Sequence, residues 1–303
     1  MRWSERLIPD LTGRRALVTG PTSGLGYQTA LALLRKNADV VIAGRDPART
    51  GDAARRLASE SGRTPDVLEL DLADLSSVQT AAAKAVASYE SLDLLVNNAG
   101  VMAPPMRRTA DGFELQIGTN HLGHFALTMR LVPLLVKAPA PRVVTVSSFM
   151  HRTVRGISLG DLRAAGHYSR WDAYGKSKLA NVLFMYELQR RAGSYLSSFG
   201  AHPGFASTEL QTTGPSLGGV NLEARALKVA TAVIAQPAAA GAWPSLYAAT
   251  KRDLPPGSFV GPGFAEWRGT PKVVQASRTA RDPELARLLW SWSADATGVD
   301  LPL

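Results

Sequence analysis

Through the first two hundred residues, short apolar runs alternate with longer amphipathic stretches. Ala16-Leu17-Val18, Val40-Val41-Ile42, Val67–Leu70, Leu92–Val96, Val143–Val146 and Tyr195–Phe199 are short, β-branched-rich runs and read as strands. Between them, segments 25–36, 47–60, 74–89, 111–136 and 172–192 read as helices. Strands and helices alternating at this spacing predict right-handed crossovers and a parallel sheet covered on both faces. After Gly204 the pattern changes. Residues 205–220 are rich in Thr, Ser, Gly and Pro and predict a mobile loop. Helices are expected at 221–235 and 238–250, a short strand at Ser258–Gly261 and a last helix at 282–294, started by Asp282-Pro283-Glu284. No repeat, low-complexity linker or boundary divides the chain, so residues 1–303 are expected to form a single α/β domain.

Composition narrows the chemistry. With no cysteine among 303 residues, disulfides, iron–sulfur clusters, thiolate metal sites and cysteine nucleophiles are excluded. The hydrophobic share of 45% and charged share of 19% are those of a folded globular protein. A net charge of +9 is spread as singles and pairs, such as Arg55-Arg56 and Arg190-Arg191. No basic block marks a nucleic-acid partner. Met1–Asp10 has no apolar run behind its charges, and the longest uncharged stretch, Val229–Thr250, contains Gln236, Pro237 and Pro244. These features predict a cytoplasmic protein without an integral membrane segment. Homo-oligomerisation is left open.

The first strand runs into Thr19-Gly20-Pro21-Thr22-Ser23-Gly24-Leu25-Gly26, which opens the first helix. Glycines let such a turn reverse sharply and let a pyrophosphate reach backbone N–H groups at a helix N-terminus. A tight strand-to-helix connection would use the same glycines. Asn97-Asn98-Ala99-Gly100 follows the fourth strand, and Tyr174-Gly-Lys-Ser-Lys178 and Pro203-Gly204 come later. With these four motifs in this order, the chain resembles the short-chain dehydrogenase/reductase superfamily over residues 11 to 300. Asn120-His-Leu-Gly-His-Phe125, Ser177–Phe184 and Gly241–Tyr247 resemble its retinol dehydrogenase-like and protochlorophyllide reductase-like branch.

The resemblance implies a doubly wound Rossmann-type domain with about seven mostly parallel strands. The implied activity is hydride transfer between a nicotinamide cofactor and an apolar small-molecule carbonyl or alcohol. A non-catalytic NADP(H) sensor or scaffold is the alternative. The cofactor is expected to contact Gly20, Ser23, Gly24, Leu25, Gly26, Asp71, Leu72, Asn98, Ala99 and Gly100, and, at its nicotinamide end, Pro203, Gly204 and Thr208. Residues 205–235 are expected to form the substrate lid. The second strand ends on Gly44-Arg45, where an NAD site would place a carboxylate. A guanidinium there suits a 2′-phosphate and so NADP(H) rather than NAD(H); a solvated arginine at a strand end is the plain alternative. Asp71 is expected at the adenine, or as a helix cap near Asp74.

Tyr174 and Lys178 lie one helical turn apart and share a face. The ammonium is expected to lower the phenol pKa and make Tyr174 the general acid–base, while Lys178 also holds the nicotinamide ribose. Ser148, with Ser147 as fallback, is expected to polarise the substrate oxygen. Asn120 is expected to complete a proton relay, or else to be a helix-bending amide bonded to backbone. Phe149 to Trp171 lengthens the usual serine-to-tyrosine spacing and is expected to wall the pocket, with Met102, Pro104, Pro105, Phe149, Met150, Phe205 and Leu210 as candidate apolar lining. His121 and His124 lack further ligands nearby and are expected to pack or hydrogen-bond rather than bind metal. No G-x-S-x-G elbow and no Walker sequence occurs, against a serine hydrolase or a nucleotide hydrolase.

Overall fold

The apolar runs pair side by side as β1 (Arg15–Thr19), β2 (Asp39–Gly44), β3 (Asp66–Glu69), β4 (Leu94–Asn97), β5 (Arg142–Val146), β6 (Ser197–Ala201), β7 (Phe259–Phe264) and β8 (Arg268–Val273). The structure is a computed structural model describing residues 3–164, 167–204 and 237–302. The sheet order is β3-β2-β1-β4-β5-β6-β7-β8. Every neighbouring pair is parallel except β7 and β8. The order reverses between β1 and β4, which opens a crevice at their carboxyl ends.

Alternation along each strand feeds two cores. Leu17, Val41, Leu95 and Val143 pack against the helices Leu75–Ser88, Gly123–Leu135 and Arg170–Ala192. Val18, Ile42, Val96 and Val144 face the helices Gly24–Leu34, Pro47–Ser61 and Ala238–Thr250. Strands buried on both faces explain the continuous apolar runs. The final helix, Pro283–Thr297, lays Trp290 against Phe125 and Phe184. Its start is capped by the Asp282 carboxylate, which accepts from the Glu284 and Leu285 amides at 2.9 and 3.3 Å.

Beyond shifted ends at other strands, three elements show instructive differences from the sequence pattern. The sixth strand begins at Ser197, not Tyr195, because the Tyr195 and Leu196 amides still bond Ala192 and close the preceding helix. The expected helix 111–136 is broken into a turn at Leu115–Ile117, a wider π segment at Gly118–Leu122 and the helix Gly123–Leu135. The eighth strand was unexpected. Arg-Gly-Thr-Pro-Lys-Val is polar and contains Pro271, a composition suited to an edge strand that pairs on one side. The expected loop 205–220 and helix 221–235 lie outside the described residues.

Two truncations should separate core from cap. Leu95→Ala removes a fully buried side chain and should cost about 2–5 kcal/mol. Asp282→Ala should cost about 1 kcal/mol. Urea denaturation ranks them, and a cap variant less stable than the core variant would contradict this packing.

Candidate active site

The glycine turn is built by close approach. Gly20 has φ of 67°, and a Cβ on it would lie 2.9 Å from the Ala99 Cα. A Cβ on Gly26 would fall 2.2 Å from the Gly20 carbonyl oxygen and 2.5 Å from the Asn98 amide nitrogen. The turn between β1 and the first helix is therefore pressed onto the loop after β4. Asn98 Nδ2 donates to the Thr19 and Gly20 carbonyls at 2.8 and 3.3 Å. Together they bound a cleft of about 440 Å³ lined by residues 20–26, 43–46, Arg49, 70–72 and 98–102. Gly20, Ser23, Gly24, Leu25, Gly26, Arg45, Asp71, Leu72, Asn98, Ala99 and Gly100 all lie on its wall, as expected for a dinucleotide site.

At the adenosine end, a Cβ on Gly44 would sit 2.5 Å from the Thr50 hydroxyl, whose proton bonds the Asp46 carbonyl. A side chain in place of Gly44 would therefore crowd Thr50, which disfavours a strand-end carboxylate here. Arg45 and Arg49 are exposed on the same wall. Arg49 escaped the sequence reading; the available signal was its spacing, one helical turn beyond Arg45. The nearby Asp46 carboxylate is engaged as a helix cap, accepting from the Arg49 amide at 3.1 Å. Asp71 faces the cleft and uses Oδ1 to accept from the Ala73 amide at 2.9 Å, while Asp74, not Asp71, caps the helix Leu75–Ser88.

The proton-transfer group stands beside this cleft rather than among its walls. A Cβ on Gly100 would lie 3.0 Å from Asn120 Oδ1 and 3.4 Å from Lys178 Nζ, so the cleft loop touches both. The helix Arg170–Ala192 buries Tyr174 and Lys178 on one face. The Ser148 hydroxyl faces the Tyr174 phenol. Ser147 is spent structurally, its hydroxyl donating to the Lys178 carbonyl at 2.7 Å. Met102, Ala103, Met150 and Trp171 pack around Tyr174. Ile157 and Leu162, from the long insertion, turn instead into a separate core cluster. Met102 and Pro104 reach the cleft, whereas Phe149 is exposed. Phe205, Thr208 and Leu210 lie outside the described residues.

One expectation is corrected. The Tyr174 pKa is raised rather than lowered: burial pushes the phenol up to about 12, with the Ser148 contact acting in the opposite direction. Burial also pulls Lys178 down to about 8. The lysine nitrogen lies 5.7 Å from the centre of the tyrosine ring and donates to the Val146 carbonyl at 3.4 Å. The phenol is accordingly protonated at neutral pH, the form that gives a proton.

Asn120 sits within the π segment, the kind of local widening often found at functional sites. Its Oδ1 accepts from the Val101 amide at 2.7 Å, and Nδ2 donates to the Val101 carbonyl and the Ser177 hydroxyl. Its carbonyl meets His124 Nδ1 at 3.0 Å, and His124 Nε2 meets the Thr19 hydroxyl at 2.9 Å. Burial pushes His124 down to about 4, so it is neutral. Both histidines pack and hydrogen-bond, with His121 against Ser293 at 2.7 Å. Among the described residues no group of acids and histidines could hold a metal ion.

Comparison with known proteins agrees with this geometry. The family model described as short chain dehydrogenase matches residues 14–216. Human retinol dehydrogenase 13 is 38% identical over 305 aligned positions, covering 99% of this chain and 88% of that protein. Mouse polyprenol dehydrogenase is 39% identical, covering 96% of this chain and 86% of that protein. A solved protein of Mycobacterium paratuberculosis matches with a TM-score of 0.81 at 42% identity, each chain covered in full. A short chain dehydrogenase of Shigella flexneri complexed with NADP matches with a TM-score of 0.64 at 25% identity, covering 82% of this chain and 97% of that one.

The buried histidine makes a pH prediction. His124 has a folded pKa near 4, below its ordinary 6.5, so the unfolded chain binds its proton first as pH falls. Stability should therefore drop below about pH 6.5. His124 alone should account for about 2 kcal/mol of that loss by pH 5. Urea midpoints for the native protein and His124→Asn at pH 7 and pH 5 measure it. An equal acid loss in both proteins would contradict a neutral His124.

Proposed function

The chain belongs to the short-chain dehydrogenase/reductase superfamily, in its retinol dehydrogenase-like branch, and is an oxidoreductase that interconverts alcohols and carbonyls with a nicotinamide dinucleotide; from that premise we propose that it uses NADP(H) and acts on an apolar small molecule. The observation that carries the cofactor choice is the end of β2. Gly44 stands where a carboxylate would bond a ribose 2′-hydroxyl, a side chain there would crowd Thr50, and Arg45 and Arg49 share the wall. Guanidinium groups there would pair the two negative charges of a 2′-phosphate. The solved relative complexed with NADP supports the same choice.

The cradle fits the group: turn 20–26 would hold the pyrophosphate, Asp71 and Leu72 the adenosine, and Asn98–Gly100 the ribose at the crevice. When bound, the nicotinamide supplies or receives the hydride. In the reductive direction Ser148 donates a hydrogen bond to the substrate oxygen and holds it beside Tyr174. Tyr174, protonated at neutral pH, then gives its proton to that oxygen. Lys178 binds the nicotinamide ribose and, with its positive charge, stabilises the tyrosinate left behind. Asn120, whose side-chain amide is taken up by Val101 and Ser177, fixes the loop 100–101 beside Lys178 and would support the relay by that positioning. Pro203 and Gly204 would contact the nicotinamide end; Thr208, expected to do the same, lies outside the described residues.

Met102, Pro104, Met150 and Trp171 give the substrate side an apolar surface, and relatives named for retinol and polyprenol support an apolar alcohol or carbonyl. A non-catalytic sensor would leave the grouping of Ser148, Tyr174 and Lys178 without a purpose. The reading includes one catalytic domain and a cytoplasmic location; the expected lid, 205–235, lies outside the described residues. Among the described residues no helix is long and apolar enough to cross a membrane.

Two experiments test this. Arg45→Asp should weaken NADPH binding at least about tenfold, by removing a charged hydrogen bond and adding repulsion, with little effect on NADH. Equal NADPH affinity in fluorescence titration would remove Arg45 from the phosphate site. Tyr174→Phe should fold and bind NADPH but lose turnover by roughly 10²–10⁴-fold on any carbonyl the native protein reduces. Near-native turnover would refute the assigned acid.

A further inference from the structure

Between β7 and β8 the chain turns through Ala265 and Glu266, with φ of 48° and 61°. Both are in the left-handed region, which residues with side chains rarely adopt, within the three-residue connection 265–267. Strain at residues with side chains persists where surrounding contacts over-determine it, and it concentrates near functional sites. Here the turn aims the Glu266 carboxylate back toward the carboxyl ends of the strands. Arg152 Nη2 donates to both carboxylate oxygens, at 2.9 and 3.0 Å. The other neighbour is His202, whose Nε2 is buried, has no aligned hydrogen bond and lies 3.2 Å from Glu266 Oε2. Contact with His202 and, against the cost of burial, with Arg152 holds the carboxylate down to about 2.

Each partner leads to one side of the reaction. Arg152 ends the short turn Phe149–Arg152, which Ser148 caps by accepting from the Met150 amide at 3.3 Å. Within that turn His151 Nδ1 meets the Ser148 carbonyl at 2.7 Å. On the other side, His202 Nδ1 accepts from the Gly204 amide at 3.3 Å. Gly204 has φ of 66°, and a Cβ there would meet the Trp267 carbonyl oxygen at 2.3 Å, so the hairpin turn also presses directly on Pro203-Gly204. The His202 ring is stacked on Phe259 at 5.4 Å and has little freedom to move.

We propose that Glu266 is a positioning residue which, through Arg152 and His202, fixes the Ser148 turn relative to the Pro203-Gly204 turn. This rests on the proposed function, in which Ser148 holds the substrate oxygen and Pro203-Gly204 the nicotinamide end. The carboxylate then sets the distance between the two reacting partners without touching either. A misplacement of about 1 Å costs on the order of 10²-fold in rate.

The full-length protein is tested in three assays: carbonyl reduction, NADPH titration and amide exchange. Glu266→Gln keeps the shape of the side chain and removes its charge. It should lower kcat about ten- to hundredfold, while NADPH affinity and Tm stay near native. Arg152→Gln should match it, and the double variant should be no slower than either. Exchange of the Met150, His151 and Gly204 amides should quicken in Glu266→Gln. Ala265→Gly, which relieves the turn and spares the carboxylate, should keep kcat within about twofold of native. Native kcat in folded Glu266→Gln overturns the proposal, and so do unchanged exchange rates. A loss in Ala265→Gly equal to that in Glu266→Gln also overturns it, because the turn rather than the charge would then be the agent. If the native protein reduces no carbonyl, the functional reading fails instead, and exchange alone decides whether Glu266 holds the two segments.

Discussion

The buried hydroxyl of Thr19 joins the cofactor cleft to the proton-transfer group. It accepts from the Asn98 and Ala99 amides, both at 2.9 Å, and contacts His124 Nε2 at the same distance. Through His124 it reaches the Asn120 carbonyl in the π segment. A neutral imidazole with its proton on Nδ1 satisfies this chain, Thr19 donating to Nε2 and Nδ1 donating to Asn120. Protonation of His124 would remove the acceptor at the Thr19 end. Burial prevents that by holding the ring near pKa 4. The end of β1, the loop after β4 and the helix that contacts Lys178 thus share one hydrogen-bonded junction at the point where the strand order reverses.

Burial also decides the electrostatics of the reacting group. Tyr174 and Lys178 are both desolvated, and each moves toward its neutral form, the phenol upward and the ammonium downward. In the proposed reduction, this protonated tyrosine is the proton donor. The lysine then matters most after that transfer, when the tyrosinate needs a positive neighbour.

Much of the site was legible in the sequence because its motifs are local. The turn 20–26, the Asn98–Gly100 loop and the pair Tyr174 and Lys178 each lie within one connection or one helical turn, so spacing alone orients them. Arg49 was missed because its place in the cleft depends on how the helix Pro47–Ser61 departs from β2. The choice between Ser147 and Ser148 needed the fold, since both lie just past β5, where adjacent side chains of an extended backbone point to opposite sides. Ser147 turns inward to Lys178, leaving Ser148 to face Tyr174.

The sequence by itself determined the alternation of strands and helices, the parallel sheet and the order of the motifs, because periodicity and glycine placement are properties of neighbouring residues. Only the tertiary structure decided what depends on burial and on contacts between distant segments. The shifts of Tyr174 and Lys178 arise from desolvation, which no local pattern encodes. The eighth strand, with Gly269 and Pro271, is held by pairing to β7 rather than by its own propensity. Glu266 meets Arg152 and His202, 114 and 64 residues away, because strand pairing brings the β7–β8 turn over the ends of β5 and β6.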